Sequence, residues 1–196
     1  MRRNRIAGML LGFMLCSLAS LSRAQSAATV PLSAAELATL RGQVQQFQDT
    51  LNRDMQTAID HPFAMLQDAK GIYLPRFGVV FHMELNLAPL RTLSAFDVRP
   101  YTEQELLQAR DTKLVRIREL KDHLSDLLRA HGAEMSALPP DLNVAVVVHL
   151  FNLPSERTDG LPTQIVIEVS RGVLADAASR LAAAEEFRKK VLYFDF

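Results

Sequence analysis

Alternating apolar and polar positions mark residues 71–87 as a β-hairpin. Successive side chains of a strand point to opposite sides, so the second half of this segment has one apolar face and one mostly polar face. The apolar set is Val79, Phe81, Met83, Leu85 and Leu87, and the other set is Val80, His82, Glu84 and Asn86. Residues 75–78 supply the turn, because Pro and Gly favour turn geometry. We expect the domain to form around this hairpin.

A helical pattern precedes the hairpin. Ser33 and Glu36 form a capping box that begins a helix, and Pro62 ends it near His61 because the residue before proline disfavours helical geometry. Apolar residues recur along it every three or four positions: Leu37, Leu40, Val44, Phe47, Leu51 and Met55. This stripe predicts packing on the hairpin, although the same spacing also fits self-association through the 33–61 helix. The other face carries four glutamines: Gln43, Gln45, Gln46 and Gln48.

A second helix is predicted from the capping box of Thr102 and Glu105 to about Ala130, with Gly132 ending it. Its apolar positions are Leu107, Leu114, Ile117, Leu120, Leu124, Leu127 and Leu128. The remaining positions mix charges of both signs, Lys113 among them, and are interpreted as a solvated face. An alanine-rich helix is predicted over residues 172–190. Residues 62–70 are interpreted as a turn with one short helical piece, and residues 86–100 as a loop.

Three further strands are predicted. Residues 142–151 are apolar on both faces, which is typical of a central strand covered on both sides. Residues 164–170 alternate, and residues 191–196 are interpreted as a buried final strand. The predicted fold class is α+β, with a mixed, mainly antiparallel sheet of about five strands covered by three helices.

The first 24 residues have the features of a signal peptide. Arg2, Arg3 and Arg5 precede an apolar run. The small residues Ser22 and Ala24 lie just before the expected cleavage site, which follows Ala24. We therefore expect an exported protein, periplasmic or secreted, with a flexible linker over 25–32 and a single domain over 33–196. The apolar run is too short for a comfortable membrane span, so no stable span is expected after cleavage. A retained anchor is the alternative.

Removal of the leader changes the charge and the cysteine content. The whole chain has 22 Lys and Arg and 22 Asp and Glu, and four of the basic residues lie in the leader, which leaves 18 and a formal charge of −4. A mildly acidic domain without a basic block has no electrostatic footprint for nucleic acid or anionic lipid. Cys16, the one cysteine of the chain, leaves with the leader. The exported domain therefore has no disulfide and no cysteine metal site.

The strongest candidate for chemistry is His82 with Glu84, two positions apart on one strand and so on one face. His149 or Glu168 joins them if the neighbouring strands align suitably. This pattern supplies two of the three or four ligands that a metal needs, so no metal and no cofactor are predicted. The same pair fits a general base with an orienting acid. The alternative is that these side chains line the solvent side of the hairpin, and that His149 is a hydrogen-bonded core histidine.

Arg76, at the tip of the hairpin, is a candidate contact for a partner, because exposed turn residues often carry function. Residues 69–81, the charged middle helix and residues 186–191 together resemble a loose group of uncharacterised exported bacterial proteins. That resemblance implies export and transfers no activity or site residue.

Three functions stay open at this point. The first is a non-enzymatic interaction or structural domain that acts through an unknown protein partner or through self-association. The second is a hydrolase-like or metal-assisted enzyme that uses His82 and Glu84. The third is a small-molecule or lipid-binding domain with its cavity between the sheet and the helices.

Overall fold

The structure, a computed structural model, describes residues 31–57, 64–87, 100–180 and 184–196. Its elements in chain order are α1 (Ala34–Thr57), β1 (Ala64–Leu74), β2 (Gly78–Asn86), α2 (Glu103–His131), a short 3-10 turn (Gly132–Glu134), β3 (Asn143–Leu150), β4 (Gln164–Ser170), α3 (Arg171–Arg180), α4 (Ala184–Arg188) and β5 (Leu192–Asp195). The predicted leader lies outside these residues, as does most of the loop predicted over 86–100.

The five strands form one sheet in the order β1-β2-β3-β4-β5. β2 and β3 are parallel, and the other three neighbouring pairs are antiparallel. The parallel pair requires a crossover, which α2 supplies between β2 and β3. The α+β class and the mixed, mainly antiparallel sheet are therefore confirmed. The described residues contain four α-helices where three were predicted: α3 and α4 both lie in the 172–190 region, and residues 181–183 are outside the description.

One face of the sheet forms the core. The five residues predicted for the buried face of the hairpin are at most 2% exposed, which confirms the alternation. The same layer continues through the inward residues of β3 and β4 and through the apolar faces of the helices. Phe47 of α1 packs on Phe81 of β2 with ring centroids 4.8 Å apart. The interior side chains of sheet and helices thus share one hydrophobic core.

The first helix begins as predicted. The Ser33 N–H donates to Glu36 Oε2 at 2.8 Å, and the Glu36 N–H donates to Ser33 Oγ at 3.3 Å. These hydrogen bonds lower the pKa of Glu36, with the backbone donor as the larger cause. The stripe is buried from Leu40 to Met55, whereas Leu37 is 41% exposed and does not belong to the core. Packing of this stripe on the hairpin is confirmed, and the predicted end near His61 lies outside the described residues.

The hairpin turn has type II character. The Phe77 N–H donates to Leu74 O at 3.2 Å, Pro75 occupies the second position, and Arg76 follows with a φ of 71°. Gly78 then begins β2 with a φ of 133°, and a Cβ there would lie 1.9 Å from the Asn143 carbonyl oxygen. Glycine is therefore required where the hairpin meets β3.

Three predictions about strands were wrong. Residues 64–70 are strand, because they pair with β2 through a register that shifts twice, and those irregularities obscure the alternation in the sequence. β3 is central, but only its core face is buried throughout, and His149 on the other face is exposed. β5 is exposed at all four residues, because it is an edge strand at the sheet's end. The predicted burial of this last strand fails for that reason.

The second helix needs two corrections, and the first is that Leu107, predicted for its apolar face, is 37% exposed. Its capping box is present, since the Glu105 N–H donates to Thr102 Oγ1 and the Glu105 side chain accepts from the Thr102 backbone. Ile117, Leu120 and Leu124 are buried as predicted. Lys113, however, is 2% exposed rather than solvated. It lies four residues before Ile117 and seven before Leu120, so it shares their side of the helix.

Candidate functional site: the open face of the sheet

The face of the sheet opposite the core carries the candidate site. We call it the open face and define it by the strand side chains that alternate with the buried ones. Its members are Lys70, Ile72 and Leu74 of β1; Val80, His82 and Glu84 of β2; Ala145, Val147 and His149 of β3; Gln164, Val166 and Glu168 of β4; and Leu192 and Phe194 of β5. Ala145 is buried, at 2% exposure, and the other thirteen side chains lie outside the hydrophobic core.

An apolar band runs diagonally across the open face, and its three middle members, Val80, Val147 and Val166, are half-buried. Val80 and Val147 are diagonal neighbours, since their register partners are Ala145 and His82. Ile72 lies beside Val80, Val147 beside Val166, and Val166 beside Phe194 in the strand register. At the two ends of the band, Ile72 is 56%, Leu192 54% and Phe194 42% exposed. Large apolar patches of this kind are uncommon on proteins that act alone, and they often mark interaction sites.

The structure brings together three of the four residues predicted for chemistry. His149 lies directly beside Glu84 in the parallel register of β2 and β3. The rings of His82 and His149 meet edge to face, with centroids 5.8 Å apart. The interpretation of His149 as a core histidine is wrong, because its side of β3 is not covered by the hydrophobic core. Two imidazoles and a carboxylate thus share one end of the open face.

Glu168 does not join this group. It lies beside Ala145 in the register, and Ala145 lies beside Val80, so two strand spacings separate it from β2. Its Oε1 accepts a hydrogen bond from Asn143 Nδ2 at 2.7 Å. Within the described ranges, no three His, Cys, Asp or Glu side chains converge in a way that would hold a metal ion.

Arg76 is exposed at the tip of the hairpin, as expected for a contact residue. It is also the one non-glycine residue with positive φ among the residues described. A side chain in that conformation costs roughly 1–2 kcal/mol, because its Cβ crowds the next carbonyl. A role in partner contact stays a prediction.

The glutamine face of α1 is used within the chain. Gln48 Oε1 accepts from the Gly71 N–H at 3.0 Å, and Asn52 exchanges two hydrogen bonds with the backbone of Ala69, at 2.7 and 3.2 Å. Because β1 is an edge strand, these amides occupy backbone groups that would otherwise be free to pair with another strand. Gln43 likewise binds Ser136 and the Ala137 N–H. Most of the amides of this face are therefore engaged in hydrogen bonds within the chain.

Lys113 and Glu156 form a buried ion pair that the sequence pattern did not predict. Lys113 Nζ donates to Glu156 Oε2 at 2.7 Å, to Asn152 Oδ1 at 2.7 Å and to Phe151 O at 2.9 Å. The two charged side chains are only 2% and 6% exposed. The pair fastens the loop between β3 and β4 to α2. The helical spacing of Lys113 with Ile117 was the available signal, but its partner lies 43 positions away.

The space between the sheet and the helices is filled by side chains such as Phe47, Phe81 and Leu124. A cavity beside Lys113 and Glu156 measures about 10 Å³, which is the room of one water molecule. The small-molecule or lipid-binding hypothesis stays a prediction.

Comparison of the chain with protein-family models, curated proteins and solved structures found no match. The resemblance to exported bacterial proteins therefore stays a prediction. In the part of the chain that the structure describes, no helix has both the length and the apolar character that a membrane span requires.

Proposed function

We propose that this chain is an exported, non-enzymatic interaction domain that assembles with a second copy of itself through the sheet. The observation that carries the proposal is the exposed apolar band of the open face, which ends on an uncovered strand at β5. Burying such side chains against a partner contributes about 25 cal/mol per Å² of apolar area. A second copy of the chain carries the same apolar band and could therefore bury it.

The sheet is a better candidate than the first helix for this assembly. The apolar stripe of α1 is buried in the chain's own core from Leu40 to Met55. Self-association through the 33–61 helix would therefore have to use the exposed face of that helix. Of the two sheet edges, β1 is occupied by the amides of Gln48 and Asn52. β5, at the other end, has four exposed residues. An unprotected edge beside exposed apolar side chains favours strand addition.

Sedimentation velocity over a range of protein concentrations tests the proposal. We expect a reversible monomer–dimer equilibrium, weakened by Leu192→Glu on the sheet and unchanged by Leu37→Glu, which alters an exposed leucine of α1; Leu37 is 41% and Leu192 54% exposed. If Leu37→Glu weakens the dimer and Leu192→Glu does not, the contact between the two copies lies on α1 and not on the sheet. A chain that sediments as a monomer at every concentration would contradict self-assembly and leave an unrelated protein as the partner.

Export is the second part of the proposal and rests on the first 24 residues. Expression of the full chain in a bacterium, followed by fractionation and N-terminal sequencing, tests it. We expect a mature protein that begins at Gln25 in the periplasm or the medium, because a signal peptidase cleaves after small residues such as Ala24. A chain that begins at Met1 in the cytoplasm contradicts it, and an uncleaved chain in the membrane fraction indicates an anchor.

A hydrolase-like enzyme is the second candidate, and the contact between His82 and His149 favours it. An imidazole beside a second imidazole and a carboxylate is a general acid–base arrangement. Hydrolysis of an activated ester by the chain is the assay. His82→Ala and His149→Ala should each lower the rate by about 10²-fold or more if the group is catalytic, whereas Gln164→Ala, at a neighbouring position of the same face, should not. Equal rates in all four proteins would exclude this candidate.

A further inference from the structure

The backbone of β5 has a definite inner and outer side. The Phe196 N–H donates to Gln164 O at 3.0 Å, and the Gln164 N–H donates to Phe196 O at 3.2 Å. In an antiparallel pair such mutual bonds recur at every second residue. Phe194 and Leu192 therefore direct their N–H and C=O groups toward β4, through their partners Val166 and Glu168. Tyr193 and Asp195 direct theirs away from the sheet.

From this pattern we propose that two copies of the chain pair antiparallel along β5, about a two-fold axis at Phe194. In that register Tyr193 of each copy lies opposite Asp195 of the other, and the outward backbone groups of both residues exchange hydrogen bonds. Phe194 faces its own symmetry mate, and Leu192 faces Phe196. The two-fold axis repeats the pair of Leu192 with Phe196, so three apolar pairs form, all on the side of the open face. The two five-stranded sheets become one sheet of ten strands.

The side chains match this register and oppose the one that is centred on Asp195. Directly opposed aromatic and aliphatic side chains stabilise an antiparallel pair, and opposed like charges destabilise it. A register centred on Asp195 would place two carboxylates opposite each other, whereas the register centred on Phe194 places each carboxylate opposite a tyrosine. Asp195 is also held by Lys121, at 2.6 Å, so that its charge is compensated within its own copy.

The exposed area around the axis agrees with an occupant of the same kind. Leu192, Phe194 and Phe196 are 54%, 42% and 69% exposed, so both halves of the pairing present the same three apolar side chains. Tyr193 is held from the helix side by a hydrogen bond to Ser125 Oγ at 2.8 Å. This bond fixes the strand in an orientation ready for pairing. The inference rests on the proposed function and gives the interface its register.

A charge-swap experiment on the full chain tests the axis at Phe194. Phe194→Lys and Phe194→Glu each place like charges opposite each other across the two-fold, so each variant alone should dimerise at least about tenfold more weakly than the parent chain. An equimolar mixture should recover dimers, because Lys then lies opposite Glu. Sedimentation velocity gives the association state, and thermal unfolding followed by circular dichroism shows that each variant folds.

A second pair of variants tests the edge itself. Asp195→Pro removes an outward N–H without touching a bond to β4, and Asp195→Ala is the matched control that keeps the N–H and loses only the carboxylate. We expect the proline variant to lose dimers and the alanine variant to keep them.

The outcomes separate the inference from the proposed function. A parent chain that stays monomeric overturns both. Dimers that form in the parent chain, but that Phe194→Lys and Asp195→Pro leave intact, overturn the β5 register and leave self-assembly standing. Weakening by both single charges without recovery in the mixture also overturns the two-fold at Phe194.

Discussion

Replacement of Lys113 by methionine tests how the loop between β3 and β4 is held. Methionine keeps most of the aliphatic length of lysine and removes the ammonium group. In the parent chain that group satisfies three acceptors, namely Glu156 Oε2, Asn152 Oδ1 and Phe151 O. The variant leaves all three without this donor in a site where the lysine and glutamate side chains are 2% and 6% exposed.

The expected loss follows from the uncompensated carboxylate. Removing one partner of a buried ion pair costs about 3–5 kcal/mol, because the remaining charge stays out of water. Among the described residues, Glu156 Oε1 has no hydrogen-bond partner. In the double variant Lys113→Met, Glu156→Met the charge is gone and two neutral acceptors remain. The double variant should therefore recover at least about 2 kcal/mol of the loss.

Urea unfolding followed by far-ultraviolet circular dichroism measures these free energies. Lys189→Met is the control, since its ion pair with Glu186 is exposed to solvent and should contribute little to the free energy of unfolding. If Lys113→Met costs no more than Lys189→Met, or if the double variant is less stable than the single one, the buried pair does not fasten the loop as described.

Three further substitutions have definite expected effects on the free energy of unfolding. Gly78→Ala should lose at least about 2 kcal/mol, because its Cβ would overlap the Asn143 carbonyl in a φ region that favours glycine; a loss below that of an ordinary surface change would contradict the hairpin geometry. Asn52→Ala should cost about 1–3 kcal/mol by freeing the Ala69 backbone, with Gln45→Ala, which only loses a bond within α1, as the neutral control. Arg76→Gly should gain roughly 0.5–1 kcal/mol by relieving the positive φ, whereas Arg76→Ala should not; equal effects would argue against the turn geometry.

The sequence was most informative where one side of an element is buried and the pattern is local. The alternation of β2 and the stripe from Leu40 to Met55 were predicted residue by residue, because burial of one face imposes a period of two or of about 3.6. Both capping boxes were predicted for the same reason, since Ser33 and Thr102 act on residues only three positions away.

The failures depend on contacts between distant parts of the chain. Lys113 looks solvated until Glu156 and the loop of Asn152 reach it. The run of valines in β3 predicts burial, but it does not say whether a second layer covers the strand. For β1, the shifted register and the amides of α1 decide the structure, and neither is visible in a local pattern. His149 lies near His82 because β2 and β3 pair in parallel with a particular register. That register cannot be predicted from a single sequence.

Amide hydrogen exchange in β5, measured residue by residue at low and at high protein concentration, distinguishes a β5 edge that pairs with a second copy from one that stays free. If two copies pair along β5, the Tyr193 and Asp195 amides exchange quickly in dilute protein and slow down as the concentration rises, because their N–H groups enter the second copy's sheet. The Phe194 amide, bonded to β4, should be protected at both concentrations. Fast exchange at Tyr193 and Asp195 at every concentration would contradict assembly through this edge.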